Sequence, residues 1–262
     1  MKLAISGATG RMGLSIIRLA RASSDIQLVG GSCGPDDPNA GRDLGELSGG
    51  SALGVVASPD VGSALLGADV VIDFSVAGVV QELAARAARE KVAVVSGTTN
   101  LDANALRALD RAAEVVPVMW APNMSLGVQV LAEAVEHAVR RLGKEFDVEI
   151  VEIHHRRKVD SPSGTAKRLA EAARAARPEL KNLQARDGDV GARTDDEMGV
   201  FGVRGGDVIG DHTVYLIGAN ERLELVHRAS NRDLFAQGAL RAARFVLGKP
   251  ARRYQFAEVL GG

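Results

Sequence analysis

The chain is 262 residues long, enough for one large domain or two modest ones, each with its own core. With 46% hydrophobic residues, 25% charged residues and a net charge of −1, its composition excludes disorder, collagen-like repeats and coiled coil, and no global field favours nucleic acid or an anionic membrane. Aromatic residues at 3% argue against a base-stacking surface, and the single cysteine, Cys33, rules out an intrachain disulfide, which fits a reducing compartment.

In chain order, Lys2 to Ser6 is a short strand-like run ending in glycine, and Arg11 to Ala22 sets Ile16, Ile17, Leu19 and Ala20 at helical spacing. The glycines of MKLAISGATGRMG come too early for a secretory apolar region, and no run approaches the roughly 20 apolar residues of a membrane span, so the expected location is the cytoplasm. Ile26 to Gly30 is a second strand, followed by a Gly/Pro/Asp loop over Gly34 to Gly41. Asp69 to Phe74, Val92 to Ser96 and Val115 to Trp120 read as buried strands, with helices over Glu82 to Arg89 and Leu101 to Ala113 between them. Short apolar strands alternating with helices imply a parallel sheet covered on both faces.

A boundary falls near Ala121-Pro122-Asn123, after which Ser125 is placed to cap a helix reaching Leu142. Asp147 to His154 largely alternates polar and apolar, as a half-buried strand does, and Ser163 to Ala176 is a helix ended by Pro178. Val208 to Ile217 and Glu221 to His227 form two more strands around Gly218-Ala219-Asn220, and Phe235 to Leu247 is helical. This half reads as α+β with a mixed or antiparallel sheet.

Two segments carry chemistry. Gly7-Ala8-Thr9-Gly10-Arg11-Met12-Gly13 lies between a strand and a helix, where glycines permit a tight turn and close approach to a pyrophosphate held at the helix N-terminus. The spacing is GxxGxxG, and a plain strand–helix packing turn is the bland alternative. The acid that usually binds the adenosine ribose at the end of the second strand is missing: Ser32, Cys33 and Gly34 stand there, with Asp36 and Asp37 beyond and no basic residue before Arg42. Without a carboxylate at that place a 2′-phosphate would not be repelled, and Ser32 and neighbouring backbone N–H groups could bind it, so NADH and NADPH both stay open.

The second segment runs from Glu152 to Lys167 and includes His154-His155-Arg156-Arg157-Lys158 and Ser163-Gly164-Thr165. It combines charge-assisted donors, a helix start and the Thr165 hydroxyl, which together suit an anion, while histidine and a lysine crowded by cations can exchange protons. The alternative is a solvated basic loop. Metal binding is not expected, because adjacent histidines do not readily chelate one ion and no acidic or thiol partner stands at ligand spacing. His137 and His227 look isolated, hence structural or exposed.

Taken with DFS at Asp73 to Ser75, GTT at Gly97 to Thr99, APNMSLGV at Ala121 to Val128, HHRRKVDSPSGTA at His154 to Ala166, RGGDVIGDH at Arg204 to His212, and Ser230-Asn231-Arg232 with Phe235 to Ala239, the GATGRMG loop resembles the 4-hydroxy-tetrahydrodipicolinate reductase family over nearly the whole chain. The resemblance implies an α/β fold: an N-terminal Rossmann-like parallel-sheet domain, residues 1–124 plus 234–262, that binds the dinucleotide, and a C-terminal α+β domain of mixed or antiparallel sheet, residues 125–233, that binds substrate and assembles a homotetramer. It implies reduction of a small cyclic dicarboxylate by NADH or NADPH. His154 matches the family's proton donor and acceptor, Lys158 its proton donor, and His155, Gly164 and Thr165 its substrate-binding positions. Gly7, Ala8, Thr9, Gly10, Arg11 and Met12 match the pyrophosphate loop, and Gly97, Thr98, Thr99, Ala121, Pro122, Asn123 and Met124 match nicotinamide contacts. Asn100 replaces a common glycine, and the loss of the ribose acid and its arginine at Cys33 and Gly34 leaves Arg11 as a candidate for the adenosine phosphate. The competing readings are a reductase of another cyclic imino dicarboxylate and a nicotinamide-nucleotide sensor without turnover.

Overall fold

A computed structural model describes residues 1–183 and 185–261; Gln184 and Gly262, both inside the domain ranges expected from the sequence, lie outside the described residues. The chain begins β1 (Lys2–Ser6), α1 (Arg11–Arg21), β2 (Gln27–Ser32), α2 (Leu44–Leu47), β3 (Ala57–Ser58), α3 (Val61–Leu65), β4 (Val70–Asp73), α4 (Ala77–Glu90), β5 (Ala93–Ser96), α5 (Ala103–Ala113) and β6 (Val118–Trp120). It continues with α6 (Leu126–Leu142), β7 (Asp147–His154), α7 (Gly164–Ala176), β8 (Lys181–Leu183), β9 (Glu197–Arg204), β10 (Asp211–Ile217) and β11 (Arg222–Arg228), and ends with α8 (Asp233–Val246) and β12 (Arg253–Tyr254). Contacts divide it into two compact units, Met1–Ser125 with Asp233–Gly262, and Leu126–Arg232.

The first unit is built on a seven-stranded sheet in the order β12-β6-β5-β4-β1-β2-β3, parallel throughout. All four residues of β4 and of β5 are buried, as expected of strands covered on both faces. The apolar stripes of α4 and α5 close one side, with Leu83, Leu109 and Val80 fully buried; each such side chain contributes about 1.5–3 kcal/mol. Side chains set the helix starts: Asp43, Asp60 and Asp102 each accept from first-turn N–H groups of α2, α3 and α5. Helix α8 returns to this sheet, and Gly238 makes that possible, since a Cβ there would stand 1.7 Å from the Met124 carbonyl oxygen. The strand order reverses between β1 and β4, and the loops that follow those strands meet there.

The second unit carries a five-stranded mixed sheet in the order β11-β10-β7-β9-β8. β10 is antiparallel to β11 and β7, whereas β9 is parallel to β7 and β8. Helices α6 and α7 pack on one face around Val135, Ile150, Leu169 and Met198. The sequence reading does not anticipate β8 or β9: Gly199 and Gly202 interrupt β9, and pairing with β7 overrides their weak strand preference. β10 begins at Asp211, not Val208, because the Gly205-Gly206 turn and the backbone contact from His155 N–H to the Val208 carbonyl (2.7 Å) occupy the preceding residues.

Candidate active site

In the first unit the nucleotide-loop residues gather at the carboxyl ends of the strands. Gly7 adopts φ +76°, and a Cβ there would lie 2.6 Å from the Phe74 carbonyl oxygen at the end of β4. Ala8 N–H donates to the Ser32 carbonyl (2.8 Å) and Gly10 N–H to that of Gly7 (3.1 Å), so the turn is tied to β2. Gly13 lets α1 press on this turn, since an added Cβ would stand 2.3 Å from the Gly7 carbonyl oxygen. Helix α1 starts after Gly10 without a side-chain cap and without an acid in its first turn. Its N-terminal dipole is therefore uncompensated by the chain itself. Arg11 is exposed at this end.

Gly97 passes against the Phe74 ring, which an added Cβ would meet at 2.3 Å. Thr98 turns its hydroxyl inward, 2.8 Å from Asp73 Oδ2, while Thr99 is exposed. Asp73 is fully buried and also accepts from Ser96 Oγ (2.7 Å) and Ser75 Oγ (2.6 Å), joining the ends of β4 and β5. Ala121 and Met124 are buried, Pro122 is exposed, and Asn123 Oδ1 accepts from Ser125 N–H at 2.8 Å. The side chains of Thr98, Ala121 and Met124 are thus buried and not presented at the surface. Asn100 takes φ +58°, the conformation for which glycine is common and asparagine is tolerated.

At the end of β2 the structure corrects one expectation. Ser32 and Cys33 are buried, 3% and 8% exposed, so neither hydroxyl nor thiol is placed to meet a phosphate. The nearby charged group is Asp37, whose Oδ2 accepts from Thr9 Oγ1 at 2.5 Å and whose Oδ1 accepts from Asn39 N–H at 2.8 Å. Those bonds hold its carboxyl below the usual range, the Thr9 bond most of all.

In the second unit β7 aims the site. Its buried face carries Val148, Ile150, Glu152 and His154 in succession, so the core face becomes a polar face within one strand. Glu152 is fully buried and pairs with His154 Nδ1. Arg204, opposite His154 in the β7–β9 register, grips the carboxylate with Nη2 at 2.8 Å from Oε1 and Nη1 at 2.9 Å from Oε2. Ser163 N–H adds a bond of 3.1 Å to Oε1. Burial raises the Glu152 carboxyl, but the bonds from His154 and Arg204 outweigh it and set its pKa to about 2.

His212 lies edge-on to His154, ring centroids 5.1 Å apart, and shares a 3.2 Å contact with Ser163 Oγ; burial, then the charge of His154, pushes its pKa down to about 4. His227, expected to be isolated, stands 6.4 Å from His212, because β10 and β11 pair 212 with 227. Lys158 Nζ meets Asp160 Oδ1 at 2.8 Å, and His155 Nε2 lies 3.3 Å from Arg232 Nη2. Burial, then Arg232 and the other cations, lowers the pKa of His155, favouring its neutral form. Ser163 Oγ caps α7 through Ala166 N–H (3.2 Å), and Gly164 and Thr165 open the helix. An added Cβ at Gly164 meets nothing within 4 Å. Among the described residues, no group of three or more His, Cys, Asp or Glu side chains is arranged to hold a metal ion.

The structure brings the predicted His154, His155, Lys158, Gly164 and Thr165 into one unit; the residues to which the sequence reading gives no role are Glu152, Arg204 and His212 beside them and, at the turn after β1, Asp37. The i, i+2 spacing of Glu152 and His154 on a strand was the available signal for the first; the others depend on sheet register and loop path.

Comparison with known proteins agrees along the whole chain. Residues 1–124 match the family described as dihydrodipicolinate reductase, N-terminus, and residues 127–260 that described as dihydrodipicolinate reductase, C-terminus. The chain is 47% identical to the 4-hydroxy-tetrahydrodipicolinate reductase of Anaeromyxobacter sp. (strain Fw109-5), covering 100% of this chain and 98% of that one, and 45% identical to the enzyme of the same name from Myxococcus xanthus (strain DK1622), with the same coverage. The dipicolinate-bound dihydrodipicolinate reductase from Paenisporosarcina sp. TG-14 shares the fold, with a TM-score of 0.78, 24% identity and 97% of each chain covered. The chain belongs to the dihydrodipicolinate reductase family.

Proposed function

We propose that the chain reduces 4-hydroxy-tetrahydrodipicolinate to tetrahydrodipicolinate with loss of water, using NADH or NADPH, as a step of lysine and diaminopimelate biosynthesis. One observation carries this reading. In a chain matched end to end by the family, the second unit sets a buried Glu152–His154 pair beside the loop of His155 and Lys158 and the start of α7.

The first unit fits a dinucleotide. A turn in which Gly7 cannot carry a Cβ, followed by a helix start without a side-chain cap, suits a pyrophosphate at Gly7, Ala8, Thr9, Gly10, Arg11 and Met12. Gly97 to Thr99 and Ala121 to Met124 would hold the nicotinamide end, largely through backbone. When bound, the dinucleotide supplies a hydride.

The chain's own residues do the rest. His155, Gly164 and Thr165 bind the carboxylates of the substrate: a histidine, a helix start and a hydroxyl are donors suited to anions. His154 donates and accepts protons as water leaves the ring. Lys158, an ammonium held by Asp160, donates the proton that neutralises the charge left on the ring nitrogen side of the reduced double bond.

The test is oxidation of NADH and of NADPH with freshly made substrate, by the wild type and by His154→Ala and Lys158→Ala. Turnover by the wild type and a fall in kcat of roughly 10²–10⁴ in either variant are expected, with dinucleotide affinity retained. A folded protein that binds either dinucleotide without turnover would favour the reductase of another cyclic imino dicarboxylate or the sensor.

We place this activity in the cytoplasm and in a homotetramer. Val203, Ile217 and Val226, on one face of β9, β10 and β11 and 38–48% exposed, are apolar surface of the kind a second copy covers. Among the described residues, no helix is long and apolar enough to cross a membrane.

A further inference from the structure

Glu152 is a fully buried carboxylate of the second unit to which the reaction as described gives no task. It is 0% exposed, and a carboxylate is kept in such a place only by a full set of partners. Oε1 accepts from Ser163 N–H (3.1 Å) and Arg204 Nη2 (2.8 Å); Oε2 accepts from Arg204 Nη1 (2.9 Å) and pairs with His154 Nδ1. An ionised carboxylate only accepts, so Nδ1 must carry hydrogen, and a neutral imidazole then has a bare Nε2. The surroundings keep that atom clear. Residue 210 is glycine, and a Cβ there would stand 2.9 Å from His154 Nε2. His212, at an interplanar angle of 74°, limits rotation of the ring.

Arg204 reaches its place because residue 202 is also glycine: a Cβ there would lie 2.8 Å from Glu152 Oε1 and 3.2 Å from Arg204 Nη1. Nη2 of the same arginine donates to the Asp160 carbonyl at 2.6 Å, and the Asp160 carboxylate holds Lys158. One guanidinium thus fixes the partner of His154 and the segment carrying the partner of Lys158.

We propose that Glu152, held by Arg204, is a positioning residue that keeps His154 in its Nδ1–H tautomer and so makes Nε2 the atom through which protons pass. This rests on the reading of His154 as the proton donor and acceptor. Glu152 itself is fully buried and acts through His154.

Glu152→Gln tests it. Either amide orientation leaves one donor facing another, and among the donors around residue 152 only the imidazole can change tautomer. The amide oxygen therefore settles toward Ser163 N–H and Arg204 Nη2, and its NH₂ turns to His154, moving the ring hydrogen to Nε2.

The readout is long-range ¹H–¹⁵N spectra of the full chain labelled at histidine nitrogens, at a pH where the imidazoles are neutral, with His154→Gln to assign the signals. The wild type is expected to show hydrogen on Nδ1, and E152Q hydrogen on Nε2 with kcat reduced roughly 10²-fold and NADH affinity unchanged. E152D, which restores a carboxylate, is expected to recover the wild-type tautomer and most of kcat. A wild-type spectrum with hydrogen on Nε2 overturns the proposal even if E152Q does not fold. So does an E152Q protein that keeps the Nδ1–H tautomer, whether or not kcat falls. The tautomer is read without substrate, so failure to turn over the dicarboxylate counts against the functional reading alone.

Discussion

The Thr9 hydroxyl donates to Asp37 Oδ2 at 2.5 Å, tying the turn after β1 to the segment beyond β2 with a carboxylate. With Ser32 and Cys33 buried, that carboxylate is a charge held beside the turn at the end of β2, and one there is expected to disfavour a 2′-phosphate and to accept from a ribose hydroxyl. Asp37→Asn is expected to weaken NADH binding about tenfold, the worth of one charge-assisted bond, and to leave NADPH binding unchanged or tighter. Fluorescence titration of both nucleotides measures the ratio. An unchanged NADH to NADPH ratio would remove Asp37 from nucleotide choice and return the question to Arg11.

The parallel sheet was legible because strands buried on both faces leave continuous apolar runs, such as Val70–Asp73 and Ala93–Ser96. Strand β7 was legible as a strand but not as the axis of a site. Its sequence DVEIVEIH only largely alternates, and strict alternation continues the buried positions from Val148 and Ile150 to Glu152 and His154, with Val151 and Ile153 on the other face. Periodicity cannot report what completes the site on that face, because it comes from other strands: Arg204 on β9 and His212 on β10. Asp37 was hidden for a related reason. It lies past the expected position, and only the turn from Gly34 to Asp37 brings it back to Thr9.

Gly164 separates what the fold needs from what the ligand needs. A Cβ there meets nothing within 4 Å, and the residue opens α7, where alanine favours the helix over glycine by up to about 1 kcal/mol. Gly164→Ala is therefore expected to keep or raise Tm while raising KM for the dicarboxylate severalfold, because the methyl group crowds the approach to the helix start. Calorimetry and steady-state kinetics on the same sample decide this. A lower Tm with unchanged KM would assign the glycine to folding.

Asn100 is one of two non-glycine residues with positive φ in the described chain, at +58°. Asparagine bears this conformation more easily than alanine does, and glycine bears it freely. Asn100→Ala is expected to lower stability by about 1 kcal/mol, whereas Asn100→Gly stays within about 0.5 kcal/mol of the wild type. Urea unfolding of the three proteins gives the comparison, and equal losses in both variants would show that the side chain, not the backbone, matters at this position.

His212 makes stability depend on pH across the histidine range. Burial, then the charge of His154, holds its pKa at about 4 in the folded chain against an ordinary 6.5, so the unfolded chain binds the proton more readily. Its contribution is fully present above pH 6.5, is lost as pH falls toward 4, and is constant below that, with a total of about 3 kcal/mol at most. Glu152 works lower: its carboxyl, depressed to about 2 from 4.5, supports the fold above pH 4.5 and loses that support as pH falls toward 2. His212→Gln is expected to flatten the stability curve between pH 6.5 and 4, leaving the slope from His155 and His227, whose pKa values are also lowered, and to leave the lower acid limb in place. Urea unfolding at half-unit pH steps resolves the two windows. A wild-type slope retained in the variant between pH 6.5 and 4 would mean that other groups carry that proton uptake.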